Sequence, residues 1–415
     1  MKKIIVIIIL LFSLALPGVS VAGSQSVLIQ NATVMTASDL GILENTDLLI
    51  ENGLIAAIGK QLTANDAEII DASNMIVTPG LIAPHSQLGL VEIELEQQTR
   101  DDSTDHYSAG FSIANAFNPS STLIPYNRSG GITSAIVVPA SAKTNFSGMA
   151  SVFNLDGKLL TQPIAQDIAM VMNYGAESDS RASQILLLED AFEKAVRFKR
   201  NKASILRGNY FDYGVYTIRD LEAIMRVLDK DIPLLVRSNR AQDLLTMIAI
   251  AKKYRIKMVF YGAKEAWRIA DVLAREDIPV ILDPMDNIPS SFDAIAARMD
   301  NAALLNAAGV TILITSQSTH NSYLSRQGAG NAAAYGLPQD EALKALTINV
   351  ADVFGLSQDR GSIAVGKSAD LVIWDGNPLE VSSFATAMMI EGHSISLISR
   401  SRRLRDKYLI ELGLK

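Results

Sequence analysis

The 415-residue sequence contains no cysteine, and this absence excludes several kinds of structure and chemistry. Disulfide bonds are excluded, so the stability of the fold must come from burial of apolar surface. Catalysis by a thiolate nucleophile is excluded, as is any metal site built from cysteine. A lipid anchor on a cysteine after a signal-peptide cleavage point is excluded for the same reason.

Positive charge is scarce relative to negative charge. The chain has 37 Lys and Arg residues against 44 Asp and Glu residues, which gives a formal net charge of −7 at pH 7. Because nucleic-acid binding needs a basic surface, this composition argues against a nucleic-acid partner. The length is sufficient for a large core, in one large domain or in a large domain with a small one.

The N-terminus has the pattern of a secretory signal peptide. Two lysines precede an apolar stretch over residues 4–16, and residues 20–22 (Ser-Val-Ala) form a small-x-small cleavage site. The apolar stretch is short for a membrane span, and an uncleaved N-terminal anchor is the alternative. We therefore predict an exported, periplasmic protein that is cleaved after Ala22 and then has no membrane span. Cleavage of residues 1–22 removes two lysines and no acidic residue, which changes the charge from −7 to −9.

The middle of the chain alternates between short apolar runs and amphipathic segments. Strand-like runs occupy residues 81–82, 131–139, 167–173, 232–239, 256–262, 278–283 and 310–316, and helix-like segments occupy residues 183–200, 218–228, 240–254, 265–275 and 300–308. Such alternation indicates a parallel sheet covered by helices. With an eighth strand expected within residues 203–216, the pattern predicts an α/β fold, a (β/α)8 TIM-like barrel over residues 79–355.

The sequence pattern at the two ends of the chain differs from that of the middle and predicts short strands and turns. Asn52-Gly53 between two apolar runs is a hairpin signal. We predict one small β-sandwich domain made of both terminal segments, residues 23–78 and 356–400. Residues 401–415 form a C-terminal helix with a basic first half, and its simplest interpretation is a solvated surface helix.

The most informative stretch begins at Pro79-Gly80 and reaches a single histidine, His85. The first barrel strand of the amidohydrolase superfamily usually carries Pro-Gly-x-x-Asp-x-His-x-His, and this stretch resembles it. Ala83 replaces the aspartate and Gln87 replaces the second histidine. The glutamine thus occupies the position at which a metal site at the mouth of a barrel needs a second imidazole ligand.

The resemblance extends over nearly all of the chain that follows the predicted signal peptide. ENGLIAAIG followed by VTPGLI, together with GSIAVGKSADLVIWDGNP late in the chain, is a specific pairing for amidohydrolases. The stretches PVILDPMDNIPSSFD, LLNAAGVTILITSQSTHN and LPQDEALKALTINVADVFGL resemble the imidazolonepropionase-like branch. The resemblance implies a hydrolase of C–N bonds other than peptide bonds, in small amides, cyclic amides or dipeptide-like compounds.

Members of this family use a divalent metal to lower the pKa of a bound water, and an aspartate moves the protons. The resemblance implies metal ligands after barrel strand one and at the ends of strands five, six and eight. In this sequence those positions fall on His85, Gln87, Arg237, Tyr261 and Gln317. Only His85 is a ligand of the expected kind, so we assign no catalytic residue.

The replacements predict that the metal is lost and lead to a first hypothesis. A glutamine amide is a weak neutral ligand, and the guanidinium of Arg237 can neither deprotonate nor ligate. The protein would then be a metal-free, non-hydrolytic member that binds a small anionic or peptide-like ligand, or a partner. Arg237 at the floor of the pocket would bind a carboxylate. His85, Gln317 and His320 complete the predicted ligand-binding residues.

The second hypothesis is an active hydrolase of amide or cyclic amide C–N bonds with a rearranged site. It would hold one divalent ion (zinc, iron or manganese) between histidine and carboxylate ligands. The candidate ligands are His85, His106, His320, Asp283 and Asp286. Under either hypothesis the sequence predicts a small-molecule ligand and a homodimer or a complex with a related amidohydrolase.

Overall fold

The computed structural model describes residues 26–175, 179–316 and 319–414, without the side chains of residues 319 and 320. The predicted signal peptide, residues 1–22, therefore lies outside the described residues. Within them the chain forms sixteen strands and ten α-helices. No helix in these ranges is both long and apolar enough to cross a membrane.

The strands are β1 Val27–Met35, β2 Ile42–Glu51, β3 Leu54–Gly59, β4 Glu68–Asp71, β5 Ile76–Pro79, β6 Leu81–Ser86, β7 Ile132–Val137, β8 Phe146–Asn154, β9 Ala165–Asn173, β10 Leu234–Ser238, β11 Met258–Gly262, β12 Val280–Leu282, β13 Ile312–Ile314, β14 Leu371–Trp374, β15 Ala385–Ile390 and β16 His393–Ser394. The helices are α1 Leu123–Arg128, α2 Arg181–Leu206, α3 Ile218–Leu228, α4 Ala241–Tyr254, α5 Ala270–Arg275, α6 Asn301–Ala307, α7 Ser325–Ala334, α8 Gln339–Lys344, α9 Ile348–Val353 and α10 Arg400–Glu411.

Strands from the two ends of the chain form one sheet. β14, β15 and β16 join β1 to β5 because β14 pairs antiparallel with β5. The β2–β3 hairpin turns at Asn52 and Gly53, whose φ angles of 53° and 82° are those that the Asn-Gly signal predicts. Leu48, Val77 and Leu371 pack into one apolar core on this sheet. The terminal segments predicted to form a sandwich thus share one continuous sheet and one core.

The other eight strands, β6 to β13, form the barrel sheet in chain order. Seven of them run parallel, and β8 runs antiparallel to both of its neighbours. Ala345 and Leu346 bridge the gap between β13 and β6, because their carbonyls accept hydrogen bonds from the amides of Ile314 (3.0 Å) and Ile82 (2.9 Å). The fold is the predicted TIM-like barrel, nearly closed, with one reversed strand.

The expectation of the eighth strand within residues 203–216 is wrong. α2 extends to Leu206, and turns follow it. The eighth strand is β8, whose sequence FSGMASVFN mixes glycine and serine with apolar residues although all nine are buried. A Cβ at Gly148 would overlap the carbonyl oxygen of Phe111, whose chain segment covers this strand. The amide of Met149 also donates to that oxygen (2.8 Å), so the loop segment around Phe111 covers β8.

The predicted helices are present between the parallel strands, as α2, α3, α4, α5 and α6. α3 begins where the sequence indicates, because Thr217 and Asp220 form a capping box. The carboxylate of Asp220 also accepts hydrogen bonds from the amides of Ser108 (3.1 Å) and Gly110 (2.8 Å). The start of α3 therefore fixes the long loop that follows β6.

Four apolar side chains form a layer inside the barrel, which we call the lower layer. They are Leu235, Val259, Ile281 and Leu313, each fully buried or nearly so. Side chains of a strand alternate between its two faces, so the residue two positions on points to the same interior. In a parallel barrel that next level lies at the mouth formed by the C-terminal strand ends.

Candidate functional site

The level above the lower layer is polar, and we call four of its residues the mouth ring: Asn173, Arg237, Tyr261 and Asp283. Each follows an inward-facing apolar residue by two positions on β9, β10, β11 or just after β12. Arg237 is in register with Asn173 on one side and with Tyr261 on the other. Strand pairing therefore sets these three side chains next to each other.

His85 reaches the mouth ring from the far side of the barrel. It lies near the end of β6, and its ring stacks on that of Tyr261 with centroids 3.9 Å apart and planes inclined by 14°. Thr315 holds this part of β6, because its hydroxyl donates to the carbonyl oxygen of His85 (3.1 Å). Tyr261 is almost fully buried, so the stacked pair crosses the mouth between strands that are not neighbours.

The environment fixes the protonation states of both rings. Burial, together with the positive charge of Arg237, lowers the pKa of His85 to about 3. Burial is the main cause that raises the pKa of Tyr261 to about 12. Arg237 opposes this rise, and the carboxylates of Asp283 and Asp286 contribute to it. Near neutral pH the mouth thus presents a neutral imidazole, a protonated phenol and a guanidinium.

A cavity of about 170 Å³ lies beside the stacked pair. Its lining residues are His85, Ser86, Gln87, Pro139, Ala140, Val171, Asn173, Arg237, Tyr261, Ser316 and Ser322. The hydroxyls of Ser86 and Ser322 are 3.3 Å apart, and the amide nitrogen of Asn173 donates to the hydroxyl of Ser147 at 3.1 Å. The cavity is therefore small and mainly polar.

Four of the five positions that the resemblance singled out lie around this cavity: His85, Gln87, Arg237 and Tyr261. The fifth, Gln317, is outside the described residues, and so is the side chain of His320. The expectation that Arg237 forms the floor of the pocket is wrong, because its side chain is exposed to solvent. It stands at the open side of the cavity.

The candidate ligands of a rearranged metal site are spread out. His106 is exposed on the loop after β6 and does not line the cavity. Asp286 forms a salt bridge of 2.6 Å with the buried Lys264, and Asp283 belongs to the mouth ring. Within the described ranges, no three His, Asp or Glu side chains are grouped so that they would hold a metal ion.

One wall of the mouth is fixed by charge. Arg181, at the start of α2, donates through Nε to both carboxylate oxygens of Asp243 (2.8 Å each) and through Nη2 to Asp293 (2.6 Å). Asp243 is almost fully buried on α4, and Asp293 belongs to the loop after β12. Paired hydrogen bonds of this kind set geometry as well as energy, so the loop is held against two helix starts.

Sequence reasoning missed Asn173 and the three serines that line the cavity. Asn173 could have been found, because it follows the inward-facing Val171 by two positions on a predicted strand. Ser86 ends a strand, Ser316 follows one and Ser322 lies in a short 3-10 helix, so alternation gives no signal for them.

Comparison with known structures finds similar folds over about nine tenths of the chain. An amidohydrolase from Thermotoga maritima MSB8 has a TM-score of 0.81 and 28% sequence identity, over 89% of this chain and 99% of that one. Molinate hydrolase has a TM-score of 0.56 at 15% identity, over 90% of this chain and 95% of that one, a likeness of fold alone.

Sequence comparisons give shorter matches. The sequence model of the Amidohydrolase family matches residues 242–395. The imidazolonepropionase of Sphingopyxis alaskensis is 49% identical over 51 residues, which is 12% of this chain and 13% of that protein. Amidohydrolase tasK of Hapsidospora irregularis is 26% identical over 302 residues, 64% of this chain and 30% of that protein. The chain thus matches at most 30% of the length of these curated relatives.

Proposed function

We propose that this protein, which belongs to the amidohydrolase superfamily, is a metal-free and non-hydrolytic member that binds a small carboxylate at the mouth of its barrel. The proposal rests on one observation: a guanidinium, that of Arg237, occupies a position where the family has a metal-ligating histidine, beside an imidazole whose pKa it lowers. The match to an imidazolonepropionase supports placing it near that branch.

The side chains at the mouth do not suit a divalent cation. A catalytic zinc usually has three protein ligands drawn from His, Asp, Glu and Cys. Of the four family positions around the cavity, only His85 provides such a group. Tyr261 would have to lose a proton whose pKa is about 12, and Arg237 adds a positive charge that repels a cation. We therefore derive no hydrolytic step at this site.

The same groups suit a carboxylate. A guanidinium presents five N–H donors in a planar fork that matches the two oxygens of a carboxylate. The protonated phenol of Tyr261 and the amide of Gln87 add donors around the same cavity. Because the cavity holds about 170 Å³, below the roughly 300–1,000 Å³ of sites for drug-sized ligands, the ligand is a small acid or the carboxylate end of a peptide.

The second candidate is a hydrolase of non-peptide C–N bonds with a single rearranged metal site. It is supported by the hydrolases among the structural neighbours and by Asp283, a carboxylate at the level of the mouth ring. In that case His85 would be the anchoring ligand. Export to the periplasm and association with a second copy or a related amidohydrolase are further parts of the proposal, supported by residues 1–22 and by the family.

Metal content separates the two candidates. Protein purified without chelators should contain zinc, iron and manganese well below one equivalent by elemental analysis, and His85→Ala should not change these values. About one equivalent of metal per chain in the wild type, lost in His85→Ala, would establish the second candidate and exclude the first.

Ligand-binding measurements test whether Arg237 binds a carboxylate. We expect acetate, succinate and short peptides with a free C-terminus to raise the melting temperature of the wild type, and Arg237→Ala to abolish this shift. Arg240→Ala is the matched control, since it removes the same charge from an exposed position three residues away that does not line the cavity. Equal shifts in the wild type and Arg237→Ala would exclude Arg237 as the carboxylate-binding group.

A further inference from the structure

Helix α10 contacts the rest of the protein through a face of two charged residues and one leucine. None of its residues is buried, and its half-buried positions are Arg402, Asp406 and Leu409. With 3.6 residues per turn, spacings of four and three place these residues on one side of the helix. This side leans on α1.

Leu404 and Tyr408 of α10, and Leu412 just after it, lie away from this side, whereas Leu409 lies on it. Leu404, Tyr408 and Leu412 are 42%, 55% and 70% exposed, and their spacing of four forms a stripe, which we call the α10 stripe. Leu404 and Tyr408 follow the half-buried Arg402 and Asp406 by two positions, which is about 200° around a helix. A surface helix normally turns its apolar stripe toward the core. The outward direction of this stripe therefore leaves its apolar side chains available to an external surface.

The charge of α10 is opposite to that of the rest of the protein. Its five cationic and two anionic side chains give a net charge of +3, and since the whole chain carries −7, the remaining residues carry −10. Arg400 and Lys407 flank the α10 stripe on one side and Arg405 on the other. Long cationic side chains beside an apolar stripe can lay their stems on apolar surface while their charges stay in water.

The direction of the α10 stripe is fixed by the helix start. Ser399 caps α10, because its hydroxyl accepts a hydrogen bond from the amide of Arg402 at 3.3 Å. Ser399 is only 2% exposed, and Leu397 just before it is packed in the main core. The N-terminal end of α10 is thus held against the body of the protein, and this sets the direction in which the α10 stripe faces.

We propose that α10 docks on a membrane surface rich in anionic lipids, with the α10 stripe in the headgroup region and the flanking cations against the phosphates. An apolar stripe with cations along its edges is the arrangement that such interfacial helices use. A second copy of the chain is a poorer cover, because pairing two α10 helices would bring together two segments of net charge +3. This inference does not depend on the proposed ligand site.

Vesicle sedimentation with the full chain tests the proposal. The wild type should sediment with vesicles of phosphatidylcholine and about one third phosphatidylglycerol, and not with phosphatidylcholine alone. The triple variant Leu404→Ser, Tyr408→Ser, Leu412→Ser should bind more than about tenfold less tightly, since it loses the apolar contact and keeps every charge. The control Leu159→Ser, Leu160→Ser removes two leucines that are 78% and 92% exposed elsewhere, and should bind as the wild type does.

A variant that lacks two of the cations tests the electrostatic part of the proposal. Arg400→Gln with Lys407→Gln, two cations that flank the α10 stripe, should weaken binding about tenfold or more, given about 1 kcal/mol for each cation near an anionic surface. Lys199→Gln with Lys202→Gln, two exposed cations on α2, should have no effect. Tyr408→Trp gives an independent signal, because brominated lipids should quench the fluorescence of the new tryptophan and leave that of the two native tryptophans unchanged.

Three results would overturn the proposal. The first is a wild type that sediments with neither vesicle. The second is a triple variant that binds as tightly as the wild type, since charge alone would then cause adsorption. The third is a wild type that is dimeric without vesicles by light scattering while the triple variant is monomeric, since a second copy would then cover the α10 stripe.

Discussion

On β10, β11 and at the end of β12, the lower layer and the mouth ring lie two residues apart and have opposite chemistry. Leu235 is fully buried, whereas Arg237 on the same strand is exposed at the mouth. Val259 and Tyr261 repeat this step from apolar to polar on the next strand. Because the backbone is continuous through both levels, the side chains alone separate a level that stabilises the barrel from one that is available for a ligand.

The largest expected effect is on the lower layer. Leu235→Ala should lower the free energy of unfolding by about 2–5 kcal/mol, because the surrounding strands cannot close the cavity left inside the barrel. Urea denaturation of the wild type and the variant measures this loss. Leu187→Ala is the control, since this leucine on α2 is 51% exposed and should change stability by no more than about 0.5 kcal/mol. Equal, small effects at both positions would mean that the lower layer is not a packed core.

Much of the lower layer was predictable from the sequence. Runs of apolar residues gave seven of the eight barrel strands, because a strand buried on both faces needs apolar side chains at successive positions. β8 escaped because it runs antiparallel beside a loop, where Ser147 and Gly148 are buried without apolar side chains. Its position depends on a contact with Phe111, which is distant in sequence.

The family resemblance predicted only some of the residues around the mouth, and strand alternation would have added Asn173. His85, Gln87, Arg237 and Tyr261 were placed by a motif and by strand ends, and all four line one cavity. The stack of His85 on Tyr261 could not be predicted, because it joins strands that are 176 residues apart in sequence and not paired. Three-dimensional closure of the barrel, which no local pattern records, produces it.

The pH dependence of stability gives the intermediate effect and tests the stack. His85 has a pKa of about 3 when folded and an ordinary value of 6.5. Between these two values the unfolded chain binds one more proton, so stability should fall as the pH is lowered from 6.5, by up to about 1.4 kcal/mol per pH unit. Above pH 6.5 His85 should contribute no slope.

Urea denaturation at pH 7.5, 6.5 and 5.5 measures this slope. His85→Gln should lose less stability between pH 6.5 and 5.5 than the wild type, because the glutamine does not titrate. The exposed His106 provides the control, and His106→Gln should follow the wild-type curve. Parallel curves for the wild type and His85→Gln would mean that the imidazole titrates near its ordinary pKa and is not shielded by Tyr261.

The smallest expected effect on stability is at Arg237, and it sharpens the contrast within β10. Arg237→Ala should change the free energy of unfolding by no more than about 1 kcal/mol, the range of exposed ion pairs, in the same urea experiment. A loss as large as that of Leu235→Ala would make the mouth ring a structural level like the one below it. A small change in stability together with the loss of carboxylate binding would instead show that one strand has two roles. Leu235 would then stabilise the barrel, and Arg237, two residues further on, would bind the ligand.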